Sequence, residues 1–460
     1  MNRVFLCLLL AGCTTVGPDY KRPDIELPAQ YPVAASQESP PTETKWWALY
    51  RDPLLDELVA SVHERNADLR LATAQVEEAE AVMRQARAAL FPEITGSFTR
   101  TRARVGTLTA PPPVASAPLE RNDARLVAST SFELDFWGRM HSASDATRAS
   151  LLGSQLAKQV VTLTLSGLAA QTYFGLRSLD AQIVVLDNSL KLRRESLDIA
   201  RARANSGLAS DLDVHQAQGA LSDALAQRRD AARQRALLER QLAQLTGRLD
   251  LRLAGGDLFT LPVPPTPPAG LPSSLLERRP DIRAAEQGMI AANAQVGIAR
   301  AARFPAVSLT GFFGGQSAAV EDIASSGIWS LGLGIAMPLF DAGRRAAAED
   351  QAAARYRQTV ASWQKAVEGA FREVSDALVN LEETSASEAD LLDRVAAARS
   401  ALELSNERYR SGYSPYLEVL DAQRTANDAE LAFVRNRQAR LAFSVDLMKA
   451  LGGGWSEAKN

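Results

Sequence analysis

The second half of the chain repeats the first at a nearly constant offset. Gly207 and Gly412 stand 205 apart (412 − 207), and so do Arg139 and Arg344, Gln218 and Gln423, and Gly247 and Gly452. Their surroundings correspond: NSGLASDLDVHQAQ at 205–218 answers RSGYSPYLEVLDAQ at 410–423. Nearer each start the offset is 213, with NADLRLA at 66–72 against RPDIRAA at 279–285 and FPEITGSF at 91–98 against FPAVSLTG at 304–311. The eight-residue difference (213 − 205) is an insertion in the first half near APPPVASAP at 110–118. A period this long is a duplicated structural unit, not a solenoid repeat. One chain must therefore build a single object from two similar halves.

Several function classes are excluded early. The 460 residues carry a formal net charge of −3, with no clustered basic excess of the kind nucleic-acid binding needs. The three histidines (His63, His141, His215) are scattered, which argues against a histidine-based metal or acid–base site. No serine or cysteine has a partner suited to nucleophilic catalysis, and no Gly-rich phosphate loop follows a strand, so neither enzyme nor cofactor is expected.

Both cysteines are N-terminal. MNRVFLCLLLAGC at 1–13 has a basic start, an apolar run from Val4 to Leu10 and small residues before Cys13. That is a secretory signal, and it resembles a bacterial lipobox. The resemblance implies that residues 1–12 are removed and that Cys13 becomes the lipid-bearing first residue. The alternative is a buried apolar N-terminus with an incidental cysteine. No run of 18 apolar residues follows, so no transmembrane helix is expected. An exported chain of this kind is either anchored at a surface or crosses the membrane as a β-barrel.

The strands decide between these. WSLGLGIAMP at 329–338 puts Trp329, Leu331, Leu333, Ile335 and Met337 on one face, with Ser330, Gly332, Gly334 and Ala336 opposite. VSLTGFFGG at 307–315 aligns Val307, Leu309, Gly311 and Phe313, and residues 125–135 align Leu126, Ala128, Thr130, Phe132 and Leu134. The fourth segment, TGSFTRTRARV at 95–105, is far more polar and the weakest of the four. Alternation over about ten residues is the pattern of a membrane-crossing strand, apolar towards lipid and small or polar towards a lumen. A soluble two-hairpin sheet is the competing reading. Four strands cannot close a barrel, and open edges cannot face lipid. Strands that span would have to come from several copies sharing one barrel.

The helices are equally unusual. No proline interrupts Arg139–Asn205 or Arg344–Ser411. Leu176, Leu179, Ile183, Leu186, Leu190 and Leu197 follow coiled-coil-like spacing, with Arg193 replacing one apolar position. About 65 residues make a rod of roughly 100 Å. Gly207 and Gly412 are placed to end the rods. Ser414-Pro415 then reads as an N-cap and first-turn proline, with Ser210-Asp211 a looser counterpart. Return helices are expected at about 211–246 and 415–450, and shorter helices at about 62–90 and 275–303, before the strands.

Further motifs lie outside this pattern. They are CTTVGPDYKRP at 13–23, Trp46-Trp47 followed by DPLLDEL at 52–58, Arg279-Pro280-Asp281-Ile282, FDAGR at 340–344, and Gly412 with Tyr416-Leu417 and Asp421-Ala422-Gln423-Arg424. In this order, over essentially the whole mature chain, they resemble the OprM/NodT-type outer membrane factors, relatives of TolC. The resemblance implies a mainly α fold with a membrane β-barrel portion. A homotrimer would share a twelve-stranded barrel, four strands per chain, continuous with a long α-helical periplasmic barrel. It further implies the outer membrane channel of a tripartite efflux system, lipid-anchored at Cys13. Such a channel passively exports small molecules delivered by an inner-membrane pump of the resistance–nodulation–division type through a periplasmic adaptor. On this basis the chain divides into a signal (1–12), a lipidated N-terminal segment (13–60), a first repeat (61–247), a Pro-rich linker (248–274), a second repeat (275–452) and a tail (453–460). A type I protein-secretion conduit and a periplasmic coiled-coil adaptor lipoprotein are the alternatives.

By the same resemblance the periplasmic gate lies at the turn into the last helix, where Leu417, Asp421 and Arg424 match gate positions. Asp421 and Arg424, three apart, share a helix face. The first-half equivalents, Gln216 (421 − 205) and Gly219 (424 − 205), are uncharged. The competing reading is an ordinary exposed ion pair.

Overall fold

A computed structural model describes residues 15–31, 45–104, 106, 118–264, 266 and 272–453. Cys13 and most of the 110–118 insertion lie outside the described residues. The main elements are α1 (Pro53–Arg65), α2 (Ala67–Ala88), β1 (Glu93–Arg104), β2 (Glu120–Leu134), α3 (Arg139–Asn205), α4 (Asp211–Leu245), the single turn α5 (Leu275–Arg278), α6 (Pro280–Ala301), β3 (Ala306–Ser317), β4 (Gly327–Ala336), α7 (Arg344–Arg410) and α8 (Tyr416–Ala450). The long helices α3 and α7 are each 67 residues, and the return helices α4 and α8 each 35. Among the described residues, no helix is long and apolar enough to cross a membrane.

Helix ends follow from local chemistry. Gly207 (φ +70°) and Gly412 (φ +81°) adopt the left-handed conformation that glycine reaches without strain. Each is followed by the same pair of bonds: Gly207 and Leu208 donate to Ala204 and Arg203, and Gly412 and Tyr413 donate to Tyr409 and Arg408. These are Schellman closures, which satisfy otherwise orphaned carbonyls. Gly247 and Gly452 open the same bond pair at the ends of α4 and α8.

Two expectations need correction. Ser210, the looser candidate, does cap α4, accepting from the Leu212 amide at 3.1 Å. Ser414 does not cap α8, because the helix starts at Tyr416 with Pro415 at the N-cap and no side-chain bond there. The single helix expected at 62–90 is broken at Asn66, whose extended backbone leaves α1 and whose side chain accepts from Asp68 at 2.8 Å to start α2.

The chain forms two compact units. The first comprises the described residues within 1–24, 75–155 and 284–363 and holds the sheet. Its strands run antiparallel in the order β1-β2-β3-β4. The register aligns Leu134, Val307 and Ile335 in one row across the sheet and Phe132, Leu309 and Leu333 in the next. Thr130, Gly311 and Leu331 follow with Ile94, then Ala128, Phe313 and Trp329 with Gly96. The apolar faces read separately from three strands thus fall on one side. On β4 that side is open: Trp329, Leu331, Leu333 and Ile335 are between 66% and 76% exposed. β1, the polar segment, pairs with β2 along its full length. β1 and β4 each have a strand partner on one side only.

The second unit comprises the described residues within 25–74, 156–283 and 364–460. Its core sets Trp46, Trp47 and Tyr50 against Leu55, Leu58 and Val62 of α1, Tyr173 and Phe174 of α3, Leu242 of α4 and Val445 of α8. Asp52 caps α1, bonding the Leu54 amide at 2.9 Å with Pro53 at the first helical position. Polar groups inside find partners: Tyr50 meets Ser444 at 2.6 Å, and His63 meets Ser166 at 2.7 Å. Burial pushes the Tyr50 phenol up and the His63 imidazole down. The halves correspond in contact as well as in sequence. Asn66 donates to the Leu245 carbonyl at 2.9 Å, and its counterpart Arg279 donates to Ala450 at 3.1 Å. These are equivalent positions (279 − 213 = 66; 450 − 205 = 245).

Gly412→Ala is expected to cost about 1 kcal/mol, because an added Cβ meets only the tip of Arg203 and the penalty is conformational. Gly369→Ala, inside α7 with open space around it, should stabilise by up to about 1 kcal/mol. Thermal melts in detergent should move in opposite directions; shifts of the same sign would contradict these assignments.

Candidate channel gate

The gate candidates lie in the second unit, where the two helical hairpins turn. Leu190, Leu197 and Ala200 of α3 and Ala217, Leu221 and Ala224 of α4 pack against Tyr409 of α7 and Tyr416 and Val419 of α8. Within this cluster Arg193, the interruption in the apolar seam, is buried and donates to the Ala220 carbonyl at 2.7 Å. A charge at that site survives because a backbone acceptor meets it.

This packing sorts the first turns of α8 into two faces. Tyr416, Val419 and Gln423 point inward, and Gln423 donates to Ser196 at 2.8 Å. Leu417, Asp421 and Arg424, spaced by four and three, form an exposed stripe on the opposite face. Leu417 is 60% exposed, and Arg424 reaches Asp421 at 2.8 Å with both side chains largely in solvent. The shared helix face read from the sequence is therefore present. An exposed pair of this kind contributes only about 0.5 kcal/mol to the isolated chain, so its value lies in where it points. In the first hairpin the apolar position is kept, since Leu212 (417 − 205) is also 60% exposed. The charges are not: Gln216 and Gly219 stand in their place.

One connection escaped the sequence reading. Arg203, at the end of α3, donates to the Tyr409 carbonyl at 2.6 Å, and its guanidinium lies 4.8 Å from the Tyr409 ring centre. Tyr409 in turn packs on Tyr416 with ring centres 5.5 Å apart. Burial raises both phenols, that of Tyr416 to about 12. Their hydroxyls have no hydrogen-bond partner among the described residues. The equivalent of Arg203 is Arg408 (203 + 205), which bonds Glu418 inside its own hairpin at 3.1 Å. Arg203 instead crosses to the other hairpin. The available signal was Ala204, the small counterpart of Tyr409 (409 − 205), which leaves the first hairpin without a ring of its own to cover.

Paired strands with one apolar face and long helical hairpins define a membrane channel subunit, and comparison with known proteins agrees. The family model for the outer membrane efflux protein matches residues 58–248 and 271–453, one stretch in each half. The chain is 34% identical to the solvent efflux pump outer membrane protein SrpC of Pseudomonas putida, over 99% of this chain and 98% of that one. It is 32% identical to the cation efflux system protein CusC of Escherichia coli O157:H7, over 98% of each. The solved open state of the Neisseria gonorrhoeae MtrE outer membrane channel superposes with a TM-score of 0.85 at 29% identity, covering 96% of this chain and 98% of that one. The chain belongs to the outer membrane efflux protein family. It is an outer membrane channel component of an efflux system, and the coiled-coil adaptor reading is set aside.

Tyr416→Ala, which empties a fully buried site, should cost about 3–5 kcal/mol in denaturant unfolding of the purified protein. Leu417→Ala, one residue away on the exposed stripe, should stay within about 0.5 kcal/mol. Equal losses would contradict the two-faced assignment of α8.

Proposed function

We propose that three copies of the chain make one channel: twelve strands closing a barrel in the outer membrane, and the helical hairpins forming a periplasmic tunnel. The observation that carries this is the four-stranded sheet, apolar and uncovered on one side, with a partnerless edge at β1 and at β4. In lipid such edges cost several kcal/mol for each unsatisfied backbone group, and closure with further copies removes them. The equal helix lengths and the offset of 205 support an internal duplication, so three chains would present six similar hairpins around the tunnel.

In this reading the channel is passive. An inner-membrane pump of the resistance–nodulation–division type, acting through a periplasmic adaptor, delivers small molecules to the hairpin end. Relatives are named for solvent, toluene, antibiotic and cation efflux. That spread is consistent with selection by the pump and not by the tube. The lipobox-like residues support a lipid anchor on Cys13.

The gate is assigned to Leu417, Asp421 and Arg424. Repeated by a threefold axis, the exposed charges of α8 would meet those of neighbouring copies and narrow the bore. Because the first hairpin lacks these charges, the second is the one that moves. Arg203 holds it against the first hairpin until it does.

Single-channel recording in planar bilayers tests the reading. The wild-type protein should conduct poorly, and the Asp421→Ala/Arg424→Ala variant should conduct several-fold better. Unchanged conductance would overturn the gate assignment, and no conductance from either protein would overturn the channel.

A further inference from the structure

We propose that the arginine row at the outer end of β1 binds phosphate-bearing lipid headgroups of the outer leaflet. The proposal rests on the channel reading above, which orients the sheet. On one side of β1 the residues run Ile94, Gly96, Phe98, Arg100, Arg102, Arg104. The register places Phe98 beside Leu126 in the last apolar row, and Arg100, Arg102 and Arg104 beside Ala124, Asn122 and Glu120 beyond it.

The apolar rows have a definite height. From Leu134 to Leu126 is eight residues, about 27 Å along a strand. At a tilt of about 40° that is roughly 21 Å across the membrane, close to the apolar band of an outer-membrane barrel. The arginines begin one row further on, at headgroup depth. Which leaflet they meet follows from the connections. β1 is entered from α2 and β2 leads into α3, so the helices attach at the Glu93 and Leu134 ends. Arg104 and Glu120 lie at the other end, beside the β1–β2 loop. With the helices in the periplasm, that end faces the cell exterior.

The charge is also one-sided. The alternate residues of β1 here, Thr99, Thr101 and Ala103, are uncharged, so on this strand the basic groups occur only on the side turned to lipid. Arg102 bonds Glu120 at 2.6 Å, while Arg100 and Arg104 make no ion pair or side-chain hydrogen bond within the described residues. Glu321 and Asp322 sit on the 3-10 helix Val320–Ser325, which packs on β2 and β3. Three exposed guanidinium groups spaced about 7 Å apart along one strand present repeated planar forks, the geometry that engages phosphate oxygens two at a time.

The test uses the full-length channel in phosphatidylcholine nanodiscs doped with bisphosphorylated lipid A, with bound lipid counted by native mass spectrometry after detergent exchange. At about fivefold per arginine, the Arg100→Gln/Arg102→Gln/Arg104→Gln variant should retain about a hundredfold less lipid A than wild type. Arg121→Gln, on the opposite side of the sheet, should retain as much as wild type. Equal retention by the triple variant overturns the proposal. Displacement of the lipid by inorganic phosphate alone also overturns it, in favour of a free-anion site. Conductance of each protein in phosphatidylcholine bilayers is the control. If the triple variant conducts while losing lipid, the arginines are responsible; if wild type does not conduct, the channel reading fails and the proposal with it.

Discussion

Every backbone amide and carbonyl placed in hydrocarbon must find its partner within protein, because no water is there to supply one. The sheet of this chain meets that demand along β2 and β3 and leaves it open at the outer edges of β1 and β4. Its apolar side, from Ile335 to Trp329 and across to Leu126, is exposed among the described residues. In water such a surface would aggregate, and in lipid a lone sheet would strand its edges. The proposed sharing of strands among copies answers this one constraint. The helices leave the sheet at a single end, and in the proposed channel that end is periplasmic and the other external.

The halves are alike along the scaffold and different at the hairpin turn. Equal long helices, equal return helices and matched glycine closures keep the hairpins the same length. At the turn the likeness stops. Asp421 and Arg424 face Gln216 and Gly219, Tyr409 faces Ala204, and Arg203 abandons its own hairpin for its neighbour's carbonyl. Tyr416 and Val419 anchor α8 from within, while the stripe through Leu417 is left free to meet whatever lies opposite. A core on one face and weak exposed charges on the other are what the proposed gate asks of α8.

Much of this is legible in the sequence because it is periodic or punctuated. Strand alternation at 329–336, glycines at the ends of proline-free runs and a spacing of three between Asp421 and Arg424 are each local signals with one geometric meaning. The misreadings are also local. Ser414 and Ser210 look alike as caps, but Pro415 delays the start of α8, and only Ser210 is left one residue ahead of its helix. Asn66 breaks a helix that periodicity alone would carry through. The strength of β1 is invisible in its own residues, because it comes from a partner strand that pairs with it throughout. The Arg203–Tyr409 contact joins residues 206 apart (409 − 203), and no pattern within either hairpin announces it.

Single-cysteine scanning of β4 in intact outer membranes addresses the central claim most directly, since the chain's own cysteines, Cys7 and Cys13, are confined to its extreme N-terminus. Thiols at Trp329, Leu331, Leu333 and Ile335 should react with a lipid-soluble maleimide and resist a charged one. Thiols at Ser330, Gly332 and Gly334 should show the reverse, as lining of an aqueous lumen. Strict alternation is the expected result. Uniform access of the charged reagent to both sets would mean that the sheet stands in water, and the channel described here would be wrong.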